Sequence, residues 1–349
     1  MARDATMRIT AVTCVKNEGP FLLEWIAFNR MIGVTDHLFY SNDCTDGTDT
    51  LLDALDSRGI VQHLPNPARG RNYQMEALRD SRKQAVVREA DWVWVADVDE
   101  FLNIHVGDGT IPELVTACGN PSVISLNWQF FANSDVEEYE DRPVIEQFLG
   151  THNPDVWSGT LSIETKSLYR GDTPIAMSGA HRPFLRERLA SPDLPKNKRL
   201  RWTDGSGRPV PDKYFTAEVK REFPARGSRN FASVNHYALR SLDSYLVKND
   251  RGDVNRENRN FDDTYWRERN DDAYEESSIL RHLPKLQKEI AALKSDPEIA
   301  KLHDAAVAAH RATLARLMDD SAYRKLREQL KAASKIPPQE EALIAVLNK

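Results

Sequence analysis

The chain has 349 residues, 29% of them charged and 40% hydrophobic, with a formal net charge of −6. That length is enough for a full-size core, and a mild acidic excess argues against the broad basic surface that general nucleic-acid binding requires. Three cysteines, Cys14, Cys44 and Cys118, are odd in number and scattered, so neither a disulfide framework nor a zinc pattern emerges. Residues 1–10 lack the apolar run of a leader, and no stretch reaches the ~20 apolar residues needed to cross a bilayer. The expectation is a cytoplasmic protein, at most peripheral to the inner face of a membrane or in contact with further copies of itself.

Strand and helix signals alternate through the first third. Residues 7–15 are an apolar first strand, and Lys16-Asn17-Glu18-Gly19-Pro20 is a turn. Phe21, Leu22, Trp25, Ile26 and Phe28 give a helical apolar face that ends near Gly33. Residues 37–41 read as a second strand, 42–48 as a polar loop, 48–55 as a helix, 60–64 as a third strand and 72–89 as one long helix. Residues 91–95 form the fourth strand. Strands separated by helices of this length pair in parallel through right-handed crossovers, so the loops 16–18, 42–46 and 97–100 should open on one edge.

The fourth strand carries the sharpest signal. The run Asp91-Trp-Val-Trp-Val-Ala-Asp97-Val-Asp99-Glu100-Phe101 ends an apolar strand with three carboxylates in four residues. Like charges at an apolar strand end repel one another and resist burial unless a partner neutralises them. A hard divalent cation, itself holding a phosphate, is such a partner, and the carboxyl edge of an open α/β sheet is where ligands bind.

The order Cys14-Val-Lys-Asn-Glu18, Glu24-Trp25, Ser41-Asn-Asp-Cys-Thr-Asp-Gly-Thr48 and Trp94-Val-Ala-Asp-Val-Asp-Glu-Phe101 resembles glycosyltransferases of the GT-A fold, in the family 2-like and family 92-like group. The resemblance continues through Asn127-Trp-Gln-Phe-Phe131, Val144-Ile-Glu-Gln-Phe148, the Lys166 strand, Gly179-Ala-His181, Asn235-His-Tyr-Ala-Leu-Arg-Ser241 and Lys248-Asn-Asp-Arg-Gly252, over residues 7–255. It implies a GT-A-type, Rossmann-like α/β fold, a mixed sheet flanked by helices. It also implies a nucleotide-diphosphate sugar donor, a UDP-sugar in the first place, and Mn²⁺ or Mg²⁺ as cofactor. Carried onto this chain, Asp99 contacts the metal, Asp97 faces the ribose or a metal-bound water, and His236 supplies a third ligand. Glu100 is assigned a supporting role. Asn17, Glu18, Asp43 and Arg71 match nucleotide-contacting positions, with Arg69 beside them. Lys248 and Arg251, three apart on a helix face, can both reach a diphosphate. Asp46 caps the helix that follows it, and His181 faces acceptor or metal, or is structural.

The acceptor half is less legible. Trp128, Phe130, Phe131, Tyr139, Phe148 and Trp157 alternate with carboxylates, a composition that suits a sugar pocket but suits a core better. An inverting transfer needs a general base; Asp155 is the first candidate and Glu164 the second. Residues 182–229 hold thirteen Lys/Arg against six Asp/Glu and read as a loop-rich basic insertion. From residue 283 the chain becomes a helical appendage whose apolar stripes must pack on the catalytic domain, on one another or on a partner, with packing on one another the default; the chain divides into a glycosyltransferase domain, 1–282, and a tail, 283–349. The reading is an enzyme moving a sugar, from a UDP-sugar in the first place, to a glycan or other hydroxyl acceptor in polysaccharide assembly. The alternatives are a nucleotidyltransferase on a related α/β fold and a catalytically silent nucleotide-sugar-binding or scaffold protein.

Overall fold

The computed structural model describes residues 7–70, 72–154, 164–186, 200–215, 225–252 and 263–347. Among these, the strands in chain order are β1 (Ile9–Val15), β2 (Asp36–Ser41), β3 (Gln62–Pro65), β4 (Trp92–Val95), β5 (Glu100–Ile104), β6 (Val123–Phe130), β7 (Gly150–Thr151), β8 (Thr165–Arg170), β9 (Ile175–Ser178), β10 (Pro183–Leu185), β11 (Trp202–Asp204), β12 (Ala232–His236) and β13 (Tyr274–Glu275). The main sheet runs β3-β2-β1-β4-β8-β6-β12-β5, with β11 also on β6. The first four strands are parallel, as the alternating pattern requires. Beyond β4 the sheet becomes mixed: β8 is antiparallel to both β4 and β6, and β5 is antiparallel to β12. This is the expected mixed sheet flanked by helices.

The helices are α1 (Leu22–Met31), α2 (Thr48–Ser57), α3 (Tyr73–Ser81), α4 (Ala85–Arg88), α5 (Ile111–Ala117), α6 (Val144–Gln147), α7 (Leu242–Arg251), α8 (Asp263–Arg267), α9 (Leu283–Lys294), α10 (Pro297–Asp319), α11 (Ser321–Lys331) and α12 (Pro338–Leu347). Helix α1 buries nine of its ten residues, sparing only Arg30, because it is covered on both sides. One face lies on the sheet and the other against α9. Local chemistry sets the ends of the later helices. The Ser241 hydroxyl accepts from the Ser244 amide at the start of α7, and Gly252, at φ 77°, ends it. Asp296 accepts from the Glu298 and Ile299 amides, and Pro297 occupies the first turn of α10.

Two expectations need correction. The single helix over 72–89 is two short ones, α3 and α4, because the Lys83 and Gln84 amides bond back to Asp80 and Ser81 in a tight turn. The C-terminal helices do not pack chiefly on one another. Leu286, Leu293 and Ile299 share one core with Trp25, Phe28 and Phe101, and Leu317 and Leu330 share another with Leu242, Tyr245 and Trp266. Ion pairs lie along the same junction, from Arg58 to Asp296 (2.5 Å) and Glu298 (2.6 Å), from Lys294 to Asp141 and from Lys331 to Glu137, and the His303 ring lies within hydrogen-bond distance of Asp141. Where it is described, the basic insertion contributes to the core through Leu185, Trp202, Val210 and Tyr214. Among the described residues, no helix is long and apolar enough to cross a membrane.

Candidate functional site

Strand direction decides where the chemistry collects. The carboxyl ends of β1, β2, β4, β6 and β12 share one edge of the sheet, and antiparallel β5 and β8 begin there. Non-glycine residues in left-handed backbone mark the loops that leave this edge: Asn17 (φ 52°), Asp43 (47°), Ser134 (49°), Asp135 (58°) and Arg240 (57°). Asn and Asp tolerate that conformation; for Arg240 it is strained and must be held by its surroundings.

The chain turns at Asp97-Val98-Asp99, and β5 starts at Glu100. Register then sets Glu100 directly opposite His236. Asp99, Glu100 and His236 are all buried, and each brings one ligand atom to within 4.8 Å of the others. That spacing suits a divalent ion at ~2.0–2.6 Å from each donor. Two buried atoms of the cluster, Glu100 Oε1 and His236 Nδ1, have no hydrogen-bond partner among the described residues. Two carboxylates and one imidazole are a donor set that a divalent metal ion can take. Burial holds the His236 ring below its usual pKa against the pull of Asp99, so it is neutral at pH 7 and keeps a lone pair to donate.

Asp97 is placed differently from its neighbour. It is partly exposed and accepts from Lys166 Nζ (2.9 Å) and Gln74 Nε2 (3.1 Å). Lys166 is buried at 1% exposure and also reaches Glu100 Oε2 at 3.1 Å. Burial alone would lower the Lys166 pKa, but Asp97 and Glu100 outweigh it and the ammonium is held charged. Glu100 moves the other way: burial lifts its carboxyl well above the usual range, and Lys166 offsets only part of that. Burial would raise the Asp99 carboxyl, but Lys248 Nζ at 2.9 Å, His236 and Arg240 together hold it well below its usual value. Lys248 also donates to Ala238 O. It takes Asp99 Oδ2, whereas Oδ1 lies 3.5 Å from His236 Nε2.

The other predicted positions sort into neighbours and supports. Asn17 joins two loops: its side-chain amide donates to Thr45 Oγ1, and its carbonyl accepts from the Thr45 amide. Asp43 is exposed on the second loop. Asp46 accepts from the Thr48 amide and the Gly19 amide, the capping role expected of it. Glu18 is buried between Arg240 (2.9 Å) and Arg251 (2.5 Å). Burial would raise its carboxyl, and the two guanidinium groups instead hold it below the usual range. Arg251 also donates to the Lys16 and Asn17 carbonyls, at 2.7 and 3.1 Å, and so fastens the β1 loop. Glu164 sits at the site edge, its carbonyl accepting from the Trp128 amide. His181 Nδ1 lies 3.1 Å from the Thr165 carbonyl, and its ring is edge-on to Trp128. Trp128, Phe130, Phe131 and Phe148 are core residues. Arg71, Asp155 and Trp157 lie outside the described residues. Sequence reasoning missed Lys166 and Arg240 as site residues and gave Glu100 only a supporting role. A lysine in the otherwise inward-facing β8 was the available signal.

Residues 10–186, half of the chain, match the family model described as glycosyltransferase family 92. The chain belongs to that family. Over 109 residues it is 28% identical to a glycosyltransferase family 92 protein of Oryza sativa subsp. japonica, covering 30% of this chain and 17% of that protein. A Ricinus communis family 92 protein is 29% identical over 99 residues, covering 27% and 17%. The alignments thus span under a fifth of either relative's length. Among solved structures, S. aureus TarS 1-349 in complex with UDP covers 47% of each chain at 11% identity and TM-score 0.29. Mycobacterium tuberculosis glucosyl-3-phosphoglycerate synthase with Mn²⁺, UDP and glucosyl-3-phosphoglycerate covers 49% of this chain and 59% of its own at 17% identity and TM-score 0.28.

Proposed function

We propose that this protein is a metal-dependent glycosyltransferase that takes a nucleotide-diphosphate sugar, a UDP-sugar first among them, and transfers the sugar to a hydroxyl of a glycan acceptor with inversion. Family membership supports the reaction class. The observation that carries the metal-dependent reading is the buried Asp99–Glu100–His236 cluster at the carboxyl edge of the sheet. Breaking a sugar–diphosphate bond leaves growing negative charge on the leaving group, and fixed positive charge at that point lowers the barrier. A divalent ion, when bound, supplies Lewis-acid stabilisation of that charge. Asp99, Glu100 and His236 would hold it. Lys248, already beside Asp99, adds a cationic side chain to the same place. Lys166 keeps Asp97 and Glu100 from repelling each other before any ligand arrives. Glu164, on the same edge at the start of β8, is one of two candidates to take the acceptor proton, Asp155 being the other.

Thermal melts against UDP, GDP, CDP, ADP and dTDP, each with Mn²⁺, Mg²⁺ or chelator, test this. A ligand that binds only the folded state adds about 2.7 kcal/mol at a hundredfold excess over Kd. One diphosphate, expected to be UDP, should stabilise the protein, and most of the gain should require the divalent ion. Asp99→Asn should remove the metal-dependent part, and Glu100→Gln should weaken it more than Asp97→Asn does. An Asp99→Asn protein that responds like wild type would overturn the metal reading. A flat response of folded protein to all five nucleotides would favour a silent scaffold.

A further inference from the structure

Helix α10 lies far beyond the stretch that matches the family, yet it reaches the site. Its His310 is buried, with the ring edge-on to Phe21 (centroids 5.8 Å apart, 89°) and tilted against Tyr139 (4.5 Å). His310 Nε2 lies 3.3 Å from Ser244 Oγ on α7. Phe21 in turn carries the Arg240 guanidinium 3.5 Å above its ring. Arg240 commits Nη1 to Glu18, but its Nε and Nη2 are buried with no hydrogen-bond partner among the described residues. Leaving such donors unsatisfied is costly, and so is the left-handed backbone at Arg240. Both features are expected of a group whose partner is a ligand.

Arg240, Arg251, Lys248 and His310 line one cavity of about 20 Å³. That is space for one oxygen-sized group, as a single phosphoryl oxygen reaching inward would be. Burial pushes the His310 pKa down to about 4, so the ring adds no further positive charge beside the two arginines at pH 7.

We propose that His310 is a positioning residue for the donor: by holding Phe21 and Ser244 it aims the unpartnered edge of Arg240 at a phosphate oxygen of the nucleotide-diphosphate sugar. The helical tail is then part of the donor site. This rests on the donor reading above.

The test uses the full chain, with Kd for the five diphosphates measured calorimetrically in the presence of Mn²⁺ on protein shown to be folded by circular dichroism. His310→Ala should weaken binding of whichever diphosphate the wild type takes by about tenfold. In turnover it should raise the donor KM and leave kcat within about twofold, since the effect is exerted through binding. His310→Phe, which keeps a ring against Phe21 and Tyr139, should recover most of the loss. Leu293→Ala, a core truncation on α9, controls for stability and should bind like wild type. Arg240→Met should lose at least as much affinity as His310→Ala, and it decides the matter if His310→Ala does not fold. The inference fails if His310→Ala binds like Leu293→Ala, or if Arg240→Met leaves Kd unchanged. If the wild type binds none of the five, the donor reading falls and takes the inference with it.

Discussion

Glu18→Gln is the most informative single change. The side chain keeps its shape and an acceptor oxygen but loses its charge, and it leaves two guanidinium groups, Arg240 and Arg251, at 9% and 8% exposure without their counter-ion. Arginine cannot relieve this by giving up its proton. Breaking a buried pair by removing one partner costs about 3–5 kcal/mol, a large share of a typical folding free energy of about 5–15 kcal/mol. Arg251 also holds the Lys16 and Asn17 carbonyls, so loosening it should free the β1 loop and weaken donor binding as well. The comparison is Glu89→Gln, which breaks the Arg8–Glu89 pair of similar length (2.8 Å) at 43% and 58% exposure. That change should leave stability nearly unchanged, because both groups stay solvated whether or not they pair. Urea unfolding of both variants at pH 7 gives the two numbers. Because the Glu18 carboxyl is held below its usual pKa, its contribution is present above about pH 4.5 and fades as the pH falls through the lowered value. The gap between variant and wild type should therefore narrow in acid. A Glu18→Gln cost no larger than that of Glu89→Gln would refute the clamp.

Buried histidines set a second pH dependence. His37 and His152 are pushed down to about 3, and His282 and His310 to about 4, each by burial first. Their contribution is complete above the unfolded value near 6.5 and is lost as pH falls toward the folded values, by about 2 kcal/mol per histidine at pH 5. Urea midpoints should drop between pH 7 and pH 5, and His37→Phe should reduce that drop; a flat profile would count against it. Deleting the chain from Leu283 onward should abolish cooperative unfolding, because Leu286, Leu293 and Ile299 belong to the core that contains Trp25 and Phe28; a monomeric fragment that unfolds cooperatively would contradict this. Glu164→Gln should slow transfer by about 10²–10⁴-fold while leaving donor Kd unchanged, as loss of a general base does. If Asp155→Asn has that effect instead, the base lies at Asp155.

What the sequence determined by itself is what short-range physics controls. The strand–helix alternation through β4 follows from side-chain periodicity, which needs only neighbouring residues to read. The same holds for the cap at Asp296, the stop at Gly252 and the capping role of Asp46, each a contact within a few positions along the chain. The placement of Asp99 at a sheet edge followed from parallel topology. The tertiary structure alone decided which charges meet. Lys166 joins Asp97 across 69 residues because β8 enters antiparallel beside β4. Glu100 faces His236 because β5 begins at Glu100 and pairs backward with β12, a register no local pattern encodes. Glu18 finds Arg240 across 222 positions. His310 reaches the same cluster from the tail because α9 and α10 pack on α1, α2 and α7 more than on each other. Spacing along a chain carries no record of such meetings; they arise when burial of apolar faces brings distant segments together, and charges end beside whichever partners make that burial tolerable.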